Sequence, residues 1–213
     1  MERRIKDAEL IIDILCDVIE FRNGESGDHV RHVRLLTRAL LEQLATETSC
    51  YELTTEIIER IVMTAALHDI GKIAIASDIL NKPGRLKPEE FSVMKDHAMI
   101  GASMLRELSP AMQEPVIKTA YEICRWHHER WDGSGYPDGL VGDECPISAQ
   151  AVALADVYDA LTTDRVYKRA LPHEAAAQLL LSGKAGAFNP LLLAALRSVS
   201  AKLPEQLADV VKA

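Results

Sequence analysis

Apolar side chains recur at intervals of three or four residues along nearly the whole chain, the spacing that places them on one face of an α-helix. No segment shows the alternation of apolar and polar residues that is typical of a half-buried strand. The intervals predict helices over residues 5–19, from 26 or 28 to 44, 54–68, from 88 onward, 114–126, 148–162, 172–182 and from 190 towards the end. The chain is therefore predicted to be all-α, with about seven or eight helices.

A length of 213 residues suits a single domain, and a hydrophobic fraction of 48% is enough for a sizeable core. The formal net charge of -8 argues against sequence-independent binding to DNA or RNA, which needs a basic surface. It does not argue against a small phosphate ligand, because bound metal ions supply positive charge locally.

The four cysteines are widely scattered and include no CxxC pair, which favours a reduced cytoplasmic chain over a disulfide framework. Asp13 and Asp17 interrupt the apolar residues near the N-terminus, so no signal peptide is predicted. No apolar run is long enough to span a bilayer. We therefore expect a soluble protein of the cytoplasm. The cysteines are Cys16, Cys50, Cys124 and Cys145.

The first apolar stripe, formed by Ile5, Ala8, Ile12, Leu15 and Ile19, has two interpretations. It could be a coiled-coil helix that leads from a regulatory domain, or it could pack as the first helix of the domain. We favour packing, because fewer than three heptads are present. The chain is accordingly divided into an N-terminal helix, residues 1–24, and a main domain, residues 25–213.

Glycines and prolines are concentrated between Trp131 and Pro146, which predicts a long loop. Long loops inside a compact domain are often lids or binding loops. For Gly133 and Gly135, turn geometry alone is an equally good explanation.

Five of the seven histidines lie beside carboxylates or other histidines in apolar, helical surroundings. His68-Asp69 ends the most apolar predicted helix, where a buried carboxylate is costly unless it meets a cation or a hydrogen-bond network. A single buried histidine is more often a satisfied core residue than a ligand, so this pair alone is weak evidence. The other four are His29, His97, His127 and His128.

The number of residues between these candidates indicates which of them could bind the same ion. Glu25 lies four residues before His29, one helical turn away, so both could reach one ion. His127 and His128 follow Trp126, and adjacent helical residues diverge by about 100°, which favours binding to two different ions.

Asp156 lies in an apolar run, where an unpaired charge is expensive to bury. Asp159 follows on the same helix face, and we interpret it either as a hydrogen-bond acceptor behind the site or as a partner in a local helix hydrogen bond. Five imidazoles and three carboxylates (Glu25, Asp69 and Asp156) exceed the needs of one ion. Such donors favour Mn, Fe or Zn. Two ions about 3.5–4 Å apart would suit an in-line phosphoryl displacement by a bridging hydroxide.

The ordered motifs resemble the HD-GYP domain, a branch of the HD phosphohydrolase superfamily. The resemblance extends from about residue 20 to about residue 180, and its matching segments are residues 68–72, 80–86, 127–137, 155–162 and 164–168. It implies an all-α, HD-type fold. It also implies metal-dependent hydrolysis of the bacterial second messenger cyclic di-GMP to pGpG, and in some members on to GMP.

The resemblance further implies a set of site residues. His68, Asp69, His97, His127, His128 and Asp156 fall on the family's metal ligands, and His29 falls on a further ligand position. Glu25 matches a carboxylate that in some members helps hold a third ion. The implied cofactors are two or three divalent ions, with Fe or Mn ahead of Zn, Ni or Co. The implied catalytic residues are His68, Asp69 and Lys72.

Lys72, Arg165 and Lys168 fall on positions that resemble the family's phosphate-contacting cations. Lys72 lies one turn beyond His68, and Arg165 and Lys168 are close enough to bind one phosphate if that stretch is helical. Ordinary solvated charge is the alternative for Arg165 and Lys168. Tyr136 is expected to contact substrate by stacking or hydrogen bonding.

Two other functions stay open. One is a signalling module that binds a cyclic dinucleotide without turnover. The other is hydrolysis of a different cyclic dinucleotide such as cyclic GMP-AMP, because base-reading side chains cannot be assigned from one sequence. We expect the cyclic dinucleotide as a partner, and neither a DNA or RNA polymer nor a membrane. A homodimer, an upstream receiver or sensor domain and diguanylate cyclase partners are compatible with the resemblance.

Overall fold

The computed structural model describes residues 10–16, 18–19, 22, 28–107, 112–164 and 169–210. Within these residues the chain forms α-helices and short 3-10 helices joined by loops, without a strand. One isolated antiparallel bridge joins Asp132 to Val141. The predicted all-α class is confirmed.

Nine α-helices lie in the described part of the chain between residues 28 and 210. They are α1 (Asp28–Glu47), α2 (Thr55–Ala65), α3 (Ser77–Leu80), α4 (Pro88–Glu107), α5 (Pro115–Trp126), α6 (Ile147–Thr162), α7 (His173–Leu181), α8 (Pro190–Val199) and α9 (Leu203–Val210). The predicted C-terminal helix is divided into α8 and α9, because the ring of Pro204 would clash with the preceding turn of a continuous helix.

α2 ends three residues earlier than the sequence predicts. It begins after Thr54, whose side chain accepts a hydrogen bond from the backbone N–H of Ile57 at 3.3 Å. Beyond Ala65 the bonding tightens, with the His68 N–H donating to the Ala65 carbonyl at 3.2 Å. His68 and Asp69 therefore lie in a turn that leads into the 3-10 helix Ile70–Ala74, rather than at a helix end.

The main core is built around α1. Leu36, Leu40 and Leu44 on one face of α1 are fully buried, each worth roughly 1.5–3 kcal/mol of burial. α2, α6 and α8 pack against α1, while α4 packs against α5 and the 3-10 helix Ile70–Ala74. These two sets of contacts bring the start of α1, the turn after α2 and the ends of α5 and α6 together.

Residues 10–16 and 18–19 are helical and contact the domain through one face. Cys16 and Ile19 are buried, and the Cys16 thiol donates to the Ala66 carbonyl at 3.2 Å. Leu15, predicted on the buried stripe, is 45% exposed, because the packed face is centred on Cys16 instead. The domain boundary at residue 24 stays a prediction, and Ile5 and Ala8 lie outside the described residues.

None of the helices in the described part of the chain combines the length and the apolar character that a bilayer crossing requires.

Candidate metal centre

Histidines and carboxylates from five separate segments of the chain come together at one place. They are His29 at the start of α1, His68 and Asp69 in the turn after α2, His97 in α4, His127 and His128 after α5, and Asp156 in α6. Four of the five histidines are buried; His128 and the two carboxylates are partly buried.

His29, His68 and Asp69, here called the His29 group, could hold one ion. The Nε2 atoms of His29 and His68 are 3.3 Å apart, and His68 Nε2 lies 3.2 Å from Asp69 Oδ2. Asp156 lies beside this group, with Oδ1 3.7 Å from His29 Nε2. Burial would raise the pKa of Asp156, but the imidazoles of His68 and His29 lower it.

His97, His127 and His128, here called the His97 group, form a second set of converging donors. The Nε2 atom of His97 lies 3.3 Å from that of His127 and 3.1 Å from that of His128. Asp69 Oδ1 lies 3.2 Å from His97 Nε2 and 4.0 Å from His127 Nε2. Asp69 thus turns one oxygen towards each group.

The tautomers of these histidines can be read from the second ring nitrogen. The Nδ1 atoms of His68, His97 and His127 contact the carbonyls of Ala65, Met94 and Ile123 at 2.9, 2.7 and 3.0 Å. In the neutral ring the nitrogen that faces a carbonyl carries the proton, so Nε2 keeps its lone pair. Two lone pairs that face each other at 3.3 Å repel, and a divalent cation between them removes that repulsion. The donor set therefore fits a metal ion.

Charge around Asp69 agrees with this interpretation. Burial would raise the pKa of Asp69, but Lys72, His68 and His97 hold it well below its usual value. Burial lowers the pKa of His68, yet the adjacent Asp69 outweighs this and raises it to about 9. The carboxylate is thus ionised and, without an ion, keeps a proton on the His68 ring, which a bound metal ion would displace.

The His97 group has the opposite character. Burial, together with the neighbouring imidazoles of His68 and His97, lowers the pKa of His127 to about 3. Burial and His127 likewise lower the pKa of His128 well below its usual value. These rings are neutral at physiological pH, which is the form that binds metal ions.

Asp159 supports the site from behind. Its Oδ2 lies 2.7 Å from His29 Nδ1 and its Oδ1 lies 2.7 Å from His32 Nδ1. Thr163 donates to Oδ1 at 3.0 Å. Burial would raise the pKa of Asp159, but its bonds to His29 and His32 lower it. Asp159 therefore lies where a hydrogen-bond acceptor would orient His29, which is one of the two interpretations that its spacing from Asp156 allowed.

His127 and His128 do not diverge towards separate groups, which corrects the helical argument from the sequence. α5 ends at Trp126, and His127 is its C-terminal cap. Because the backbone after His127 is a turn, the 100° rotation of a helix no longer applies. The two ring centroids are 4.0 Å apart, and both rings belong to the His97 group.

Lys72 and Gly71 follow the His68-Asp69 turn in the 3-10 helix. The Lys72 ammonium lies 2.7 Å from Asp69 Oδ2, so the predicted proximity of Lys72 to the site is present. Gly71 contacts the backbone of α4 so closely that any side chain there would collide with His97 and Gly101. The glycine two positions after the His-Asp pair is the sequence signal of a close backbone contact. The sequence alone does not show that this contact is with α4.

Glu129 is a residue that the sequence analysis missed. Its carboxylate is 3% exposed and accepts three backbone N–H bonds, from Asp138 at 2.8 Å, Gly139 at 3.1 Å and Leu140 at 3.2 Å. The glycine-rich segment is thereby wrapped around the buried Glu129 side chain. A carboxylate next to two histidines was visible in the sequence, but the N–H groups that donate to it lie nine to eleven residues away in irregular backbone.

The loop also sets the position of Tyr136. A Cβ atom on Gly135 would lie 2.4 Å from the Arg130 nitrogen, so close backbone approach requires glycine there. The Tyr136 ring stacks on His128, with centroids 4.6 Å apart and planes at 27°. Gly133 has φ +78°, which suits turn geometry. The remaining candidates, Glu25, Arg165 and Lys168, lie outside the described residues.

A helical domain in which five segments supply a His-Asp pair, further histidines and a second aspartate defines a metal-centre protein of the histidine–aspartate type. Comparison with known families agrees, since the model described as "HD domain" matches residues 9–191. The chain belongs to the HD domain family, and its Gly135-Tyr136-Pro137 motif places it in the HD-GYP branch that the sequence resembles.

Relatives and solved structures include several phosphodiesterases. A probable cyclic di-GMP phosphodiesterase of Vibrio cholerae is 42% identical over 194 residues, which are 89% of this chain and 43% of that protein. A 3'3'-cGAMP-specific phosphodiesterase of the same organism is 36% identical over 91% of this chain and 35% of its own length. The chain thus spans less than half of either relative.

A crystal structure of a cyclic GMP-AMP specific phosphodiesterase of Vibrio cholerae has the same fold. It superposes with a TM-score of 0.65 and 16% identity, covering 95% of this chain and 50% of that one.

Proposed function

We propose that this chain is a metal-dependent phosphodiesterase that hydrolyses cyclic di-GMP to pGpG, with further hydrolysis to GMP as a second stage. The observation that carries the proposal is the Asp69 carboxylate, which turns one oxygen towards the His29 group and the other towards the His97 group. A shared carboxylate between two donor groups is the arrangement that two neighbouring ions need. The name of the 42% identical relative supports the choice of substrate.

In this proposal one ion is held by His29, His68, Asp69 and Asp156, and the other by Asp69, His97, His127 and His128. Nitrogen and oxygen donors without thiolate favour Fe or Mn, with Zn, Ni or Co as alternatives. Glu25 is proposed as a ligand of a third ion. When bound, such ions polarise water and the phosphoryl oxygens for in-line displacement.

The chain's own residues orient the imidazole ligands and stabilise developing negative charge. Asp159 fixes the ring of His29, and the backbone carbonyls of Ala65, Met94 and Ile123 fix the other imidazoles so that each lone pair points inward. Lys72 places its ammonium beside Asp69, where it can stabilise negative charge that develops on a phosphoryl oxygen. Arg165 and Lys168 are proposed as further phosphate contacts.

The test is hydrolysis of cyclic di-GMP by purified protein loaded anaerobically with Fe(II) or Mn(II). We expect pGpG as the first product and no turnover after chelation. Asp69→Asn should lower turnover by about 100-fold or more. His173→Ala is the matched control, since His173 belongs to neither group and lies 3.1 Å from the Tyr158 hydroxyl instead. Loss of metal with unchanged turnover in His68→Ala would contradict the mechanism.

Hydrolysis of 3'3'-cGAMP is the second candidate, favoured by the 36% identical relative. Parallel measurements of kcat/KM on both cyclic dinucleotides decide between the substrates. Nucleotide binding without product, over several metals and long incubation, would instead identify a binding module without turnover. A regulatory domain upstream, a homodimer, diguanylate cyclase partners and a cytoplasmic location stay predictions from the sequence.

A further inference from the structure

Lys95 lies between two aromatic rings at the edge of the metal centre. Its ammonium is 5.7 Å from the ring centroid of Phe91 and 5.6 Å from that of Tyr136. Phe91 is one turn earlier on α4, whereas Tyr136 belongs to the glycine-rich loop. The lysine is therefore held by contacts from two parts of the fold, at distances typical of cation–π interactions.

No carboxylate of the described residues forms an ion pair with Lys95. Among ion pairs between described residues, none involves Lys95, whereas Lys72 lies 2.7 Å from Asp69 and Lys82 lies 2.5 Å from Glu90. Aromatic faces attract a cation without cancelling its charge. Lys95 is also partly buried, so its field is screened less than that of a solvated lysine.

Tyr136 links Lys95 to the metal centre. The Tyr136 ring stacks on His128 at 4.6 Å, and His128 Nε2 lies 3.1 Å from His97 Nε2. Lys95 is thus one tyrosine ring away from the His97 group.

The geometry points to Lys95 as a binding residue for the second phosphate of a cyclic dinucleotide. This inference rests on the proposed function. A cyclic dinucleotide has two phosphodiesters, and only the one that is cleaved occupies the ions. The other remains an anion beside the centre, and an ammonium that no carboxylate of the described residues neutralises is the group that would bind it. Phe91, which is 49% exposed, and Tyr136 offer flat apolar faces next to this phosphate.

The inference predicts that substitution of Lys95 weakens the binding of substrates with two phosphates much more than that of substrates with one. Lys95→Gln should raise KM for cyclic di-GMP about tenfold, the loss of one charge-assisted contact, with kcat and metal content unchanged. For bis(4-nitrophenyl) phosphate, which has a single diester, kcat/KM should change less than about twofold. Lys95→Arg should restore much of the affinity, and Lys95→Gln should weaken the dependence of KM on salt.

Lys184→Gln is the matched control, because it removes the same charge from an exposed lysine outside the site. Equal KM values in Lys95→Gln and Lys184→Gln would overturn the inference. So would an equal loss on both substrates, because Lys95 would then be supporting the loop or the ions. Wild-type protein that cleaves the simple diester but no cyclic dinucleotide overturns the proposed function, and this inference with it. If only the Lys95 prediction fails, wild-type protein still hydrolyses cyclic di-GMP, and the proposed function stands without this inference.

Discussion

A Cβ atom on Gly71 would lie 1.9 Å from the backbone oxygen of His97. The 3-10 helix after the His68-Asp69 turn and helix α4 therefore meet backbone against backbone. A Cβ on Gly101 would likewise lie 3.2 Å from the Gly71 nitrogen. This contact sets the 3.2 Å separation between Asp69 Oδ1 and His97 Nε2, and with it the relation of the two donor groups.

Gly71→Ala is expected to separate these two elements. The clash is with backbone atoms, so a shift of the 3-10 helix is unavoidable and should cost roughly 1–3 kcal/mol of stability. Urea unfolding measures the free energy, and metal analysis should find less bound ion. Gly183→Ala is the control, since Gly183 has φ +71° and open surroundings and tests backbone strain alone. An alanine variant at position 71 with full metal content would refute the prediction.

Asp159→Asn should weaken metal binding by about 10- to 100-fold, because a neutral amide orients His29 less strongly than a carboxylate. Competition with a chelator of known affinity measures the change. Thr163→Val removes the hydroxyl that donates to Asp159 Oδ1 at 3.0 Å and leaves the bond to His29 in place. If both variants lose affinity equally, the bond between Asp159 and His29 is not the cause.

Glu129→Ala should loosen the glycine-rich loop, because three backbone N–H groups lose their acceptor. We expect a loss of about 1–3 kcal/mol and faster hydrogen exchange at Asp138, Gly139 and Leu140. Catalytic efficiency should fall as Tyr136 leaves His128. Glu144→Ala is the matched change, since Glu144 accepts one loop bond, from Val141 at 2.8 Å. Unaltered exchange in Glu129→Ala would contradict the account of the loop.

Thiol reactivity should separate the cysteines. Cys50 is exposed and should react rapidly in the native protein, whereas Cys16, Cys124 and Cys145 are buried and should react only after unfolding. Counting reacted thiols over time, with and without denaturant, tests this difference. Rapid native labelling of all four would contradict the burial of three of them.

Burial raises the pKa of Cys145 from its usual 9.0 to about 12, so stability should fall at high pH. The unfolded chain releases this proton first, and the folded state loses about 1.4 kcal/mol per pH unit between those values. Unfolding free energies at pH 8 and pH 10 measure the slope. Cys145→Ala should reduce the slope without abolishing it, because burial also raises the pKa of Cys124. A slope unchanged by this substitution would argue against a buried Cys145 thiol.

Metal removal should destabilise the fold. An ion present at 100 times its dissociation constant contributes about 2.7 kcal/mol, provided that the unfolded chain does not bind it. Thermal unfolding before and after chelation measures the contribution. In His68→Ala the difference should largely vanish, whereas His173→Ala should retain it. A melting temperature unchanged by chelation would argue against bound ions.

Much of the architecture was readable from the sequence because it depends on local patterns. Intervals of three and four residues gave the helices, and Pro190 marks the start of α8 as predicted. The early end of α2 was not readable, since Ala65 to His68 still fits a helical pattern. There the tertiary contact of Gly71 with α4 prevails over local propensity.

Within the candidate centre, the sequence predicted which residues form the site but not which residues they contact. The histidines stood out as unusual polar groups in apolar surroundings, and the contact of Asp159 with His29 matches one of the two interpretations that its spacing allowed. The convergence of His127 and His128 depends on where α5 stops, and the contacts of Glu129 depend on irregular backbone. Neither follows from periodicity, because both are fixed by how distant segments meet.

The distance along the chain between His29 and its supporting residues has a consequence during synthesis. His29 and Asp159 are separated by 130 residues, so the first imidazole emerges from the ribosome long before its acceptor. At bacterial elongation rates that interval is roughly ten seconds. A nascent chain can offer only part of the donor set during this time. The complete donor set is therefore assembled late, only after α6 has been translated.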